Sequence, residues 1–303
     1  MNRSPRIATR IPGPRQKSRL VRLGQRILVP ALAGLLLVVA SGLGPLIAGF
    51  PPAPRAVAAA AAAPAISIGF ESFTVVGVDA ERAAAVASRA AELRQRISAD
   101  LLGIDQPEAW TPRCEIHVHL TEESFADAVG GAPASARGAT SIEFFGDDVG
   151  LRRIDVMGDA PGEAFPDALA HELVHVILAD RFCDGPPPRW ADEGLAMLFD
   201  PEEKQIGHDE DFRDAAIRGL AWSGRDMFEI ELDPADIGRE RVFYGESLAL
   251  VRWFLAQGSA ATFLSFLDDC DAEGIAEALA RHYQIGSLAE FDNRWQSVLT
   301  ASR

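Results

Sequence analysis

Apolar and polar positions divide this chain into an uninterrupted apolar run near the N-terminus, a middle stretch of short alternations, and a C-terminal half with helical spacing. From Ile27 to Phe50 no side chain is charged. Pro51-Pro52-Ala53-Pro54 and an alanine run through Ala63 follow, a low-complexity linker with nothing to pack. The folded part is expected from about Ile66, with a β-branched strand over Ile66 to Val78. Asp79 to Leu102 then places Ala83, Val86, Leu93 and Ile97 at helical intervals. Cys114 to Leu120 alternates as a strand with Ile116, Val118 and Leu120 on one face, and Thr121 is an N-cap for a short helix. The Gly/Ala/Ser-rich run from Gly130 to Thr140 reads as a loop, and strands are expected at Ser141 to Phe145 and Leu151 to Val156. From Pro166 the spacing is helical, broken at Gly185-Pro186-Pro187-Pro188 and across the polar stretch Asp200 to Asp211.

Charge sharpens the division. Residues 1 to 60 carry nine basic side chains and no acid, so the remainder holds 20 basic residues against 44 acidic ones. Such an acidic surface disfavours nucleic acid and anionic lipid and favours solubility, with a preference for basic substrates as the sharper reading. Residues 1–26 read as a basic cytoplasmic tail and residues 27–50 as a signal peptide or a membrane anchor. Residues 51–65 are the linker, and 66–303 the folded domain. Both fates of the apolar run place that domain outside the cytoplasm, secreted or held at the membrane. Three cysteines, Cys114, Cys183 and Cys270, allow one intramolecular disulfide at most, and none lies in a nucleophile motif.

The chemistry concentrates at Ala170-His171-Glu172-Leu173-Val174-His175, an H-E-x-x-H in a helical segment. Histidines four apart lie one turn apart on one helix face, so both can reach one ion, and Glu172 sits about 100° round the helix, beside it. The bare pentapeptide arises by chance in roughly one chain of this length per hundred, so its context matters. A helix apolar almost all round tolerates two histidines and a glutamate best if they hold a metal. The segment Arg189-Trp190-Ala191-Asp192-Glu193-Gly194-Leu195-Ala196, whose Glu193 stands eighteen positions after His175, re-enters helix behind the prolines. That turn can return Glu193 to the same ion.

These two blocks resemble the gluzincin group of zinc peptidases, the peptidase MA-like domains related to thermolysin and the aminopeptidase N family. That group shares H-E-x-x-H followed by Trp-x-x-Glu-Gly-x-Ala. The spacing here is one residue shorter than in the aminopeptidase N family, and Asp192 stands where that family has Asn. The resemblance implies Zn2+ on His171, His175 and Glu193, with Glu172 as general base and Asp192 as a fallback ligand or supporting group. Asp200 and Asp180 are weaker supporting candidates. It also implies that Tyr244, in Val242-Phe243-Tyr244-Gly245-Glu246, donates to the oxyanion of the tetrahedral intermediate, and that Gly138 to Phe145 is an edge strand for an extended peptide. The tail Gly274 to Leu299, with Phe291 and Trp295, is expected to pack.

His117 and His119 face away from the apolar side of their strand and are expected in solvent. Asp209-Glu210-Asp211 and Asp268-Asp269-Cys270-Asp271 read as solvated turns. The fold expected is α+β and zincin-like: a small mixed β lobe, a helical C-terminal lobe, and the zinc helices between. The function expected is zinc-dependent hydrolysis of a peptide or protein substrate, more an endopeptidase than an exopeptidase. The alternative is a catalytically silent zincin-like binding domain at the cell envelope.

Overall fold

In the computed structural model the described residues are 25–31, 71–130, 136–145, 148–158, 166–183, 185–230 and 237–302. They form a mixed α+β fold. Five strands are present: β1 (Gln25–Ala31), β2 (Phe73–Val76), β3 (Cys114–His119), β4 (Gly138–Phe145) and β5 (Asp148–Met157). β2, β3 and β5 run parallel, and β4 is antiparallel to β5. To the open edge of this four-stranded sheet β1 adds an antiparallel partner, with Gln25 opposite Phe144 and Ala31 opposite Gly138. The edge expected to accept an extended peptide thus carries an extended segment of the chain itself. Residues 32–50, most of the apolar run, lie outside the described residues with the tail and linker, as does Ile66 to Phe70 of the first expected strand. Among the described residues no single helix is long and apolar enough to cross a membrane.

In β3 the alternation holds for Cys114, Ile116 and Val118, which are buried in the core, but not for Leu120, which lies past the strand end and is exposed. The expectation for His119 does not hold. It is buried, with Nε2 2.7 Å from Asp155 Oδ1 and Nδ1 2.9 Å from Ser124 Oγ. Helix α2 (Glu122–Val129), capped by Thr121 as expected, brings Phe125 edge-on to the imidazole and closes that face of the sheet. His117 is half-buried beside Glu115. The run taken as loop up to Thr140 becomes strand from Gly138 onward, because antiparallel pairing with β5 satisfies its backbone polar groups.

Helix α1 (Ala80–Ile97) joins β2 to β3; Asp79 caps it, and Ala83, Val86, Leu93 and Ile97 face the core. A π-helical turn at Ser98–Leu102 extends it to Gly103. Helices α3 (Leu169–Arg181) and α4 (Arg189–Met197) follow, then α5 (Glu202–Arg218), α6 (Gly224–Glu229), α7 (Ile237–Gln257), α8 (Ala260–Glu273), α9 (Ile275–Tyr283) and α10 (Leu288–Ala301). The break expected at Asp200 to Asp211 is instead the start of α5. Glu202 and Glu203 favour a first turn, Pro201 precedes it, and one buried stripe of His208, Phe212, Ala215 and Ala216 suffices to hold a mostly solvated helix. The two acidic clusters are likewise helical rather than turns. Asp209 accepts from Arg252, Asp211 from Arg241 and Asp269 from Arg281, and Asp268 pairs with Arg181.

One core runs from the sheet through α3 and α4 into the C-terminal helices. Trp190 at the start of α4 packs against Phe254 and Phe263, with ring centroids 5.8 and 5.9 Å away, while Phe291 and Trp295 are buried as expected. Burial of each such ring contributes roughly 1.5–3 kcal/mol, enough to fix where α4 lies. Further along α4, Gly194 lets the helix touch α7: a Cβ there would fall 2.7 Å from the Ser247 carbonyl oxygen and 2.4 Å from Val251 Cγ2.

Candidate metal centre

Helix α3 lies against the sheet, α1 and α4, and Leu169 to Ala179 is buried apart from Ala170. Its i,i+4 histidines sit with ring centroids 5.0 Å apart. From α4, Glu193 brings Oε2 to 3.4 Å from His171 Nε2. One ligand atom from each of His171, His175 and Glu193 lies within 4.8 Å of the other two, and all three side chains are buried. The separation is informative: two donors each about 2.0–2.1 Å from one tetrahedral zinc are about 3.3 Å apart.

The polar inventory of this pocket fits a cation. His171 Nε2, His175 Nε2, both carboxylate oxygens of Glu193 and Oε1 of Glu172 are buried without a hydrogen-bond partner. Each such group costs about 1–3 kcal/mol when left unsatisfied, and a divalent ion satisfies the ligand atoms together. Two imidazoles and one carboxylate suit zinc.

Behind the histidines stand two carboxylates. Asp200 Oδ2 is 3.3 Å from His171 Nδ1, and Asp192 Oδ1 is 3.1 Å from His175 Nδ1. Asp192 thus lies against the His175 ring and outside the three-residue cluster. Asp200 is held from the chain behind it, where Gln205 Nε2 donates to its backbone carbonyl at 2.8 Å. Asp180 plays no part here: it accepts from Arg152 at 2.5 Å and from the Trp110 indole.

Electrostatics point the same way. Burial opposes a charged imidazole at His171, but Asp200, Glu193 and Glu172 outweigh it and raise its pKa well above the ordinary value. His175 is raised by Asp192 and Glu193 against the same opposition. Burial works against the charge of Glu193 too, yet the two imidazoles and Arg189 hold its pKa low. Burial pushes Glu172 up to about 7. The carboxylates raise the two histidines, and the histidines with Arg189 in turn keep Glu193 ionised, so a metal binding here would displace protons from the two rings.

Tyr244 is buried on α7, and its hydroxyl accepts from Arg189 Nη2 at 3.3 Å. Burial, then the charge of Glu193, raises its pKa, so the phenol keeps its proton. Arg189 also lies 3.8 Å from Glu240. Sequence reasoning passed over Arg189, Thr140 and His208. Thr140 donates to Glu172 Oε2 at 2.7 Å, and the buried His208 ring is 6.3 Å from Tyr244. Arg189 adjoins the Trp-x-x-Glu block and offered a signal; the other two offered none.

No family model matches the chain, and no curated protein is similar enough to stand as a relative.

Proposed function

We propose that this protein is a zinc-dependent peptide-bond hydrolase of the gluzincin kind, with a zincin-like fold and Zn2+ on His171, His175 and Glu193. The observation that carries the reading is the buried convergence of His171, His175 and Glu193 from α3 and α4, whose candidate ligand atoms have no hydrogen-bond partner, with Glu172 Oε1 also buried and unpartnered on α3. When bound, the ion supplies Lewis acidity, polarising a carbonyl and lowering the pKa of water in its open position to about 7.

The chain's own residues then have separate tasks. Asp192 and Asp200 lie at the Nδ1 atoms of the two imidazoles and would orient the rings once an ion displaces the Nε2 protons. Glu172 takes the proton of the attacking water on Oε1 and returns it to the leaving amine. Its place next to His171 on α3, buried from bulk water, suits a group that passes a proton within the site. Tyr244, kept protonated by burial, donates to the oxygen on which charge develops. A peptide or protein substrate would pair with the edge of β4 only where β1 is displaced from it. The basic flank and uncharged run before the linker support export; residues 27–31, paired with β4 in this fold, would have to leave the sheet to act as part of a signal peptide or anchor over 27–50.

Metal analysis and a peptide-library digest of the purified protein test this reading. One zinc per chain, cleavage abolished by chelation, and a Glu172→Gln variant that keeps its zinc while kcat falls about 10²–10⁴-fold are the expected results. A zinc-loaded protein that cuts nothing and retains a partner in pull-down would instead mark it as a silent binding domain.

A further inference from the structure

Glu172 is described above by its chemistry, but its orientation comes from the sheet. Gly138 and Thr140 are two apart on β4, so they share the strand face turned to α3. Thr140 is wholly buried; its Oγ1 lies 2.7 Å from Glu172 Oε2 and 3.2 Å from the Glu172 carbonyl oxygen. The hydroxyl has one proton, and the closer, charged carboxylate oxygen takes it. Oε2 is thereby occupied. Oε1 is buried and without a partner. The space around it exists because residue 138 has no side chain: a Cβ there would sit 2.5 Å from Oε1 and 2.9 Å from Glu172 Cγ.

We infer that β4 is the seat of the base: Thr140 ties one oxygen of Glu172 and Gly138 leaves room for the other, so that Oε1 alone is left free to take the proton. Thr140 is a positioning residue, acting through Glu172 without touching substrate. The kinetic part of this inference rests on the peptidase reading, whereas the geometric part does not. A carboxylate free to rotate presents its oxygens in many directions, and a displacement of about 1 Å in a reacting group can cost about 10²-fold in rate.

The test compares Thr140→Val, which keeps the shape and removes the hydroxyl, with Thr140→Ser, which keeps the hydroxyl. Zinc-loaded T140V should lose up to about 100-fold in kcat with KM and zinc content unchanged. Its crystal structure should show the Glu172 carboxylate turned away from the wild-type position. T140S should restore both rate and carboxylate position. Should T140V not fold, T140A is read in the same two ways, and Gly138→Ala should displace the carboxylate while zinc stays bound. Equal impairment of T140V and T140S, or an unmoved carboxylate in T140V and T140A, overturns the assignment. A wild-type protein that hydrolyses no peptide removes the peptidase reading but leaves the carboxylate position as the deciding measurement.

Discussion

Arg189 meets Tyr244 with a group that can only donate, so the phenol oxygen is the acceptor and the phenol proton stays free for another partner. This gives direction to a hydroxyl that would otherwise rotate. In the proposed reaction Tyr244→Phe should therefore lower kcat by about 10²–10³-fold while zinc content is unchanged. Steady-state kinetics beside metal analysis reads this directly, and wild-type kcat in the variant would remove Tyr244 from the chemistry. At this scale His171 and His175 were legible in the sequence because their helical spacing carries its own geometry, and Glu193 because of the Trp-x-x-Glu block behind the prolines. Thr140 was not. A threonine in a small-residue run becomes a partner of Glu172 only once β4 lies along α3, and no local pattern records that.

The element that decides the site is α4, since it must deliver Glu193 to a helix formed eighteen positions earlier. Trp190 pins one end in an aromatic cluster, and Gly194 allows the middle to touch α7. Gly194→Ala puts a methyl against a backbone carbonyl, which cannot rotate away as a side chain can. It should cost about 1–3 kcal/mol of stability by urea denaturation. It should also weaken zinc binding in a competition titration, because the adjacent Glu193 moves with the helix. Unaltered zinc affinity alongside lost stability would separate the packing of α4 from the placing of Glu193. The prolines made the re-entrant helix readable, and periodicity made α1, α3 and β3 readable. α5 was misread because polarity alone was taken for a break, when exposed helices are polar on most of their surface.

Across the whole molecule, the C-terminal helices are joined by Glu246, a buried carboxyl that accepts from the Trp222 backbone N–H at 3.0 Å and from Trp295 Nε1 at 3.2 Å. Burial pushes its pKa from 4.5 up to about 7 against those two donors. A group whose folded pKa is raised binds protons better in the folded state, so its contribution is complete below about 4.5 and is lost as pH rises through about 7. Denaturant titrations should show the stability of the wild type, measured against Glu246→Gln, falling by on the order of 3 kcal/mol between those limits. A difference independent of pH would show that the carboxyl titrates alike in both states. The burial of Glu246 was invisible in the sequence, where it stands in a helix as an ordinary acidic residue. His119 was misjudged for a related reason: its outward face on β3 is real, but α2 covers it. By itself the sequence determined what local pattern can encode, namely the mixed α+β class and the places on two helices of the residues that cluster as candidate metal ligands. Only the tertiary structure decided which carboxylates stand behind the histidines, which oxygen of Glu172 is free and which polar side chains are buried. Those outcomes depend on contacts between segments far apart in the chain, and the residue pattern within any one segment is the same whichever neighbour it meets.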